Sequence, residues 1–179
     1  MRADARLRLF CGLRLPPEAV QAIVVWQNGH LPDVRLVAPE NLHVTLAFLG
    51  DRPAAELPAI AAALTEAAAR AAPIRLQARR YAETSGVSMI VFDDTGGAGA
   101  AFAAELGARL ERLRVYRPEA RPWLEHVTVA RFLQRPRLTL QPPDLGEVSP
   151  SDAAVYSSVL RPTGAQYQAL RIAALKATE

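Results

Sequence analysis

The stretches HVTLAFLG (residues 43–50) and HVTVARFL (residues 126–133) set the interpretation of this chain. Both are apolar runs that open on His-Val-Thr, and each reads as a β-strand. In a strand, residues i and i+2 project from one face. His43 therefore shares a face with Thr45, and His126 with Thr128, while Val44, Leu46, Val127 and Val129 point to the core. The chain has three histidines, and the repeat uses two of them. Imidazole, with an unperturbed pKa of ~6.5, is the side chain that changes charge closest to neutral pH. A neutral imidazole can deprotonate water, and an imidazolium can protonate a departing alkoxide, each transfer being worth ~10²–10⁴-fold. Threonine hydroxyls can donate to the non-bridging oxygens of a phosphate. Acid, base and oxyanion donors are what a phosphodiester needs, with no metal or cofactor required. A single His-x-Thr in a strand would ordinarily be a structural histidine satisfied by polar neighbours. Its recurrence is what favours chemistry.

Around these stretches, residues 6–14 alternate, with Leu7, Leu9 and Cys11 on one side and Arg6, Arg8 and Phe10 on the other, as expected for a strand with one buried face. Pro16-Pro17-Glu18 opens a helix through about Asn28, with Ala19, Ile23 and Trp26 as its apolar stripe and Gly29 as its C-cap. Residues 34–37 form a short strand and Pro39-Glu40-Asn41 a turn. The first motif strand ends at Gly50-Asp51. Residues 54–71 are helical, with Pro58 in the first turn. Residues 74–82 and 87–92 are strands around a turn at Ser85-Gly86, the second stopped by Asp93-Asp94. Residues 98–113 form a helix, with Phe102, Leu106, Leu110 and Leu113 along one side. Residues 115–123 form a loop, and the second motif strand spans 123–133. Four prolines make 134–150 an extended loop or edge segment. Residues 155–160 and 167–174 are closing strands joined by a turn at Arg161-Pro162-Thr163-Gly164. Each half thus carries strand, helix and strands with one His-x-Thr strand, a pattern compatible with an internal duplication.

Composition narrows the function class. At 179 residues the chain suits one domain or two small lobes sharing a core. No apolar run reaches the ~18 residues of a membrane span, and the N-terminus reads as a first strand rather than a signal peptide, so a cytoplasmic location with no membrane partner is expected. Cys11 is the only cysteine; it is read as a packed core thiol, and no metal site of the Cys/His type is expected. The formal charge is +3, which favours an anionic partner such as RNA or a nucleotide. All but Lys176 of the 21 basic residues are arginine. Most read as solvated surface, but Arg109, Arg112, Arg114, Arg117 and Arg121 stand out because they lead into the second motif. Phe10 and Phe48 are read as core, with base stacking as the alternative. Trp26 reads as core, Trp123 as core or cleft, His30 as a helix-end surface residue and Asp93-Asp94 as a solvated turn.

Several segments together resemble the 2H phosphoesterases, named for two H-x-T-x motifs, and within them the bacterial RNA 2′,3′-cyclic phosphodiesterases, historically called 2′-5′ RNA ligases. They are RLFCGLRLPPEAVQAI near the start, PENLHVTLAFLG, WLEHVTVARF and SSVLRPTGAQYQAL. The resemblance implies an α+β fold of two pseudo-symmetric lobes, each with an antiparallel sheet and helices, forming a single domain over residues 1–179 with the histidines facing each other across a central cleft. It implies His43 as the proton donor to the leaving 3′-oxygen and His126 as the acceptor that activates water. It also implies Thr45 and Thr128 as phosphate-binding hydroxyls, and Arg131 as a basic residue near the phosphate. Strand parity sets Arg131 opposite His126 unless a bulge re-aims it. The chain departs from the family pattern at Glu125, where proline often precedes the second histidine, and at Ala47, where a basic residue often follows the first motif. A carboxylate at 125 close to His126 would favour the imidazolium. The implied activity is metal-independent hydrolysis of RNA or oligonucleotide 2′,3′-cyclic phosphate ends to 2′-phosphates by a monomer. Reversible, ATP-independent 2′-5′ RNA ligation is the secondary expectation. Hydrolysis of 2′,5′-linked oligoadenylates and a non-catalytic nucleotide- or RNA-binding module are the alternatives.

Overall fold

The computed structural model describes residues 5–162 and 164–176. Its strands are β1 (Arg6–Arg14), β2 (Arg35–Leu36), β3 (His43–Pro53), β4 (Leu76–Glu83), β5 (Val87–Asp94), β6 (His126–Arg131), β7 (Glu147–Val148), β8 (Asp152–Arg161) and β9 (Gly164–Ala174). The helices are α1 (Pro17–His30), α2 (Leu57–Arg70) and α3 (Ala98–Arg112). The strands join one antiparallel sheet in the order β7-β4-β5-β6-β3-β1-β8-β9, with β2 paired to β6. The two motif strands are thus neighbours at its centre, although α2, β4, β5 and α3 separate them in sequence. The fold is α+β, as expected.

Central position explains why β1 is not one-faced. Leu9 through Leu13 are all buried, because β1 pairs with β3 on one side and β8 on the other, and both of its faces are covered. Leu9, Cys11 and Leu13 enter the main core. Phe10 packs on Ala154, Tyr156 and Tyr167 on the opposite face. The helices supply the rest of the core. α1 buries Ala19, Ile23 and Trp26 together with Gln27, whose side-chain amide donates to Val37 and Val129 carbonyls and ties the helix to β6. α3 buries Phe102, Leu106 and Leu110, each such side chain contributing ~1.5–3 kcal/mol by leaving water.

Local differences from the sequence reading have identifiable causes. Gly29 lies inside α1, which continues to His30; the His30 ring bonds the Trp26 carbonyl and stacks on the Trp26 indole, holding the last turn together. β3 does not end at Gly50. Gly50 adopts φ +68, a conformation that glycine takes without a Cβ penalty, and pairing with β1 resumes through Pro53. The proline-rich stretch is pinned by Glu83, whose carboxylate accepts from Tyr81, Arg135 and the Arg137 and Leu138 amides. Of the turn at 161–164, Thr163 lies outside the described residues. Among the described residues no helix is long and apolar enough to cross a membrane.

Candidate active site

β3 and β6 meet through one registered pair, Val44 opposite Val127, both fully buried. Antiparallel register about that pair sets His43 across from Thr128 and Thr45 across from His126. All four lie on the face opposite the buried valines and all are partly exposed. Two tripeptides distant in sequence thereby become a quartet on one surface.

Both imidazoles are oriented by the same device. His43 Nδ1 bonds the Asn41 carbonyl at 2.7 Å, and His126 Nδ1 bonds the Leu124 carbonyl at 2.8 Å. A carbonyl only accepts, so each Nδ1 carries the proton and each Nε2 is left as the reactive nitrogen. His43 Nε2 lies 3.1 Å from Thr45 Oγ1, so in neutral His43 the hydroxyl donates to the ring. Phe10 packs against the His43 ring at 4.7 Å between centroids with the planes tilted by 32°, and Tyr167 meets it edge-on at 5.4 Å. Gly12 closes the ring from below: a Cβ there would come within 3.1 Å of His43 Cδ2 and 3.2 Å of the Val44 carbonyl oxygen.

This packing changes the charge state. Burial pushes the His43 pKa down to about 4; the Asn41 carbonyl pulls upward, and the positive charges of His126 and Arg131 push further down. In the unfolded chain the same group titrates near ~6.5. Between these values the unfolded chain binds more protons, so the contribution of His43 to stability is complete above pH ~6.5 and is lost as pH falls towards 4, by about 2–3 kcal/mol. Urea denaturation of wild type and H43Q at pH 7 and pH 4.5 should therefore show a smaller acid loss in the variant. Equal losses would mean that His43 is not held neutral.

A bulge decides the position of Arg131. Ser88 pairs with Ala130 and Met89 with Thr128, so Val129 is the extra residue of β6. Val129 and Ala130 are both buried, parity inverts, and Arg131 emerges on the Thr128 face. β3 carries the same irregularity, since Cys11 pairs with Ala47 and Gly12 with Thr45, skipping Leu46. Leu46 and Ala47 are buried, and Phe48 emerges on the Thr45 face, 49% exposed. Phe48 is therefore not core, and Ala47 points away from the site, so a basic side chain is not missing from the cleft there. Phe48 and Arg131 line a cleft of about 910 Å³ together with His43, Thr45 and Thr128. His126 is not among the lining residues; it stands at the margin, half-buried, near enough for its charge to act on His43.

The basic residues of this cleft are Arg8, Arg35, Arg131 and Arg161, against one carboxylate, Glu40. The run from Arg109 to Arg121 that stands out in sequence does not line it. Arg109 is paired with Glu66 and Glu105, and Arg121 with Glu119. Arg8 and Arg161 could not be singled out from sequence because their strands, β1 and β8, reach the site only through the sheet order. Asn41 carries no sequence signal either. Its amide donates to the Ala165 carbonyl at 2.8 Å, and its own carbonyl orients His43. Trp123 proves structural, its indole donating to the Thr45 carbonyl at 2.8 Å. Asp94 is not simply a solvated turn residue, because its carboxylate accepts from the Gly99 and Ala100 amides at the start of α3. Burial and the nearby Asp94 and Asp93 raise the Glu125 carboxyl above its ordinary value, partly opposed by His126. Cys11 is fully buried, and burial pushes its thiol up to about 12. Among the described residues no three His, Cys, Asp or Glu side chains gather as a metal site.

Comparison with known proteins agrees with this architecture. The profile of the LigT-like phosphoesterases matches residues 13–82. An RNA 2′,3′-cyclic phosphodiesterase of Thermus thermophilus is 32% identical over 92% of this chain and 88% of its own. The crystal structure of TT0787 of Thermus thermophilus superimposes with a TM-score of 0.82 at 29% identity, covering 97% of this chain and 100% of that one. That of Escherichia coli LigT complexed with 3′-AMP gives 0.78 at 25% identity, covering 96% and 98%. Similarity of this extent, on a sheet that brings the two His-x-Thr strands side by side, establishes that the chain belongs to the LigT-like phosphoesterases, the 2H family.

Proposed function

We propose that this protein opens the 2′,3′-cyclic phosphate at the 3′ end of RNA, leaving a 2′-phosphate and a free 3′-hydroxyl. The observation that carries the reading is the paired orientation of the imidazoles: each Nδ1–H is committed to a backbone carbonyl two residues upstream, on strands whose register opposes each histidine to the other motif's threonine. We read residues 1–179 as a single domain of two pseudo-symmetric lobes meeting at that register. One imidazole takes a proton from water as its oxygen bonds phosphorus. The P–O3′ bond breaks, and the other imidazole returns a proton to O3′. Thr45, Thr128 and Arg131 hold the non-bridging oxygens, where charge grows in the transition state.

In the family-based division His43 is the donor and His126 the acceptor. For His43 to donate it must carry a proton in the complex; burial depresses its pKa most, and a bound phosphodiester anion opposes the further push from the His126 and Arg131 charges. The low His43 pKa of the free protein favours a second reading, in which the neutral His43 accepts and His126 donates. Ligation of a cyclic-phosphate end to a 5′-hydroxyl follows the same course as hydrolysis with the 5′-hydroxyl in place of water: its oxygen bonds phosphorus, P–O3′ breaks, and O3′ takes up a proton.

The reading is tested with adenosine 2′,3′-cyclic phosphate in excess EDTA. Turnover to the 2′-phosphate, unaffected by chelation, is expected. Binding without turnover would identify a nucleotide-binding module instead, and loss of activity on chelation would reject the metal-independent mechanism.

A further inference from the structure

The two imidazoles are held by the same device on unequal supports. His126 is held by the carbonyl of Leu124, an exposed residue whose side chain makes no hydrogen bond. His43 is held by the carbonyl of Asn41, the last residue of a single 3-10 turn, Pro39–Asn41. That turn is exposed at Pro39 and Glu40. It is closed on itself by the backbone amides of Asn41 and Leu42, which donate to the Ala38 and Pro39 carbonyls. The Asn41 side chain links it to a distant part of the sheet, because its Nδ2 donates to the carbonyl of Ala165, 124 residues away, at 2.8 Å.

Ala165 belongs to an arm of the sheet. β8 pairs with β1 from Ala153 to Ser157, and among the described residues it pairs with β9 alone from Ser158 to Arg161. Leu160, Arg161 and Tyr167 of this arm line the cleft, and the Tyr167 ring meets that of His43. The arm thus reaches His43 twice, directly through Tyr167 and indirectly through Asn41. Stability of the fold does not account for the asparagine. Its Oδ1 is buried with no partner among the described residues, and an apolar side chain of similar shape would avoid that cost.

Building on the cyclic-phosphate reading, we infer that Asn41 is a positioning residue for His43: its side chain ties the β8–β9 arm to the turn whose carbonyl holds the His43 Nδ1–H. The carbonyl lies only two residues before the ring, so any shift of the turn passes directly to the imidazole. With the tether in place the proton stays on Nδ1 and Nε2 stays beside Thr45, ready to exchange a proton with the substrate. Without it the arm and the turn are uncoupled, and the neutral ring can place its proton on either nitrogen. The inference holds for both divisions of labour between the histidines, because His43 acts through Nε2 whether it donates or accepts.

The test records the imidazole Nδ1–H protons by NMR in wild type, N41A and N41L, together with kcat and KM for adenosine 2′,3′-cyclic phosphate. N41L keeps the approximate shape of the side chain and removes only its polar ends, so it decides the matter if N41A fails to fold. Wild type should show a slowly exchanging Nδ1–H signal from each histidine. Both variants should lose or broaden the His43 signal and keep that of His126, whose Leu124 support is independent of Asn41. Their kcat should fall towards ~10²-fold, the cost of about 1 Å of misplacement. KM should change little, the mark of a group that acts on the chemistry rather than on ground-state binding. An unchanged His43 signal would overturn the assignment, whatever happens to kcat. So would loss of both signals together, which marks general loosening. The NMR readout needs no substrate. A wild type that turns over nothing would therefore refute the phosphodiesterase reading, while the two signals still decide the tether.

Discussion

Replacing His126 with alanine should lower kcat for a 2′,3′-cyclic phosphate by ~10²–10⁴-fold, and replacing His43 should do the same. The double variant should lose much less than the product of the two factors, because the histidines serve one concerted transfer. Both single variants should still bind the product 2′-phosphate, since Thr45, Thr128 and Arg131 remain on the cleft. Near wild-type turnover in either variant would dismiss the acid/base pair. The same variants also divide the roles. A substrate with sulfur in place of the 3′-oxygen has a leaving group that needs no proton. If His43 is the donor, H43A should recover most of its rate on that substrate while H126A remains impaired. The reverse pattern would establish the swapped division that the low His43 pKa favours. Recovery in both variants, or in neither, would contradict any split between donor and acceptor.

Replacing Arg131 with glutamine should lower kcat/KM by ~10²–10³-fold, the cost of one donor aimed at growing negative charge. R131K should recover part of this, since lysine keeps the charge but not the planar fork. A second effect distinguishes a cleft arginine from a surface one. The Arg131 charge pushes the His43 pKa down, so its removal lets that pKa rise. The acid limb of kcat/KM against pH, which reports the free enzyme, should therefore move to higher pH in R131Q and less in R131K. A profile that keeps the wild-type limb, with kcat/KM intact, would place Arg131 outside the site's electrostatics.

The motif strands are legible because period-2 alternation and a recurring tripeptide survive in one dimension. Parity alone gives the correct faces for His43, Thr45, His126 and Thr128, and helix periodicity gives the buried residues of α1 and α3 except Leu113, which lies just past the end of α3 and is exposed. Parity fails just beyond each threonine. A bulge adds a residue to one strand without altering composition, so Leu46 and Val129 look like any alternating position. That is why alternation sets Arg131 opposite His126, and why nothing in the sequence marks Phe48 as exposed. β1 departs from its expected pattern for a different reason. A single buried face assumes solvent on the other side, but β8 and β9 return from the far end of the chain to cover it.

Residue identity and strand geometry, both local, settle the chemistry on offer: two imidazoles and two hydroxyls, each pair on one face of an apolar strand. What surrounds that chemistry comes only with the folded chain. Sheet order makes β3 and β6 neighbours, and their register opposes each histidine to the other motif's threonine. Packing under Phe10 and against Gly12 drives the His43 pKa down. Matching bulges bring an arginine and a phenylalanine onto the cleft. Each of these depends on which distant segment lies alongside, and burial, register and charge proximity are properties of that neighbour as much as of the residue itself.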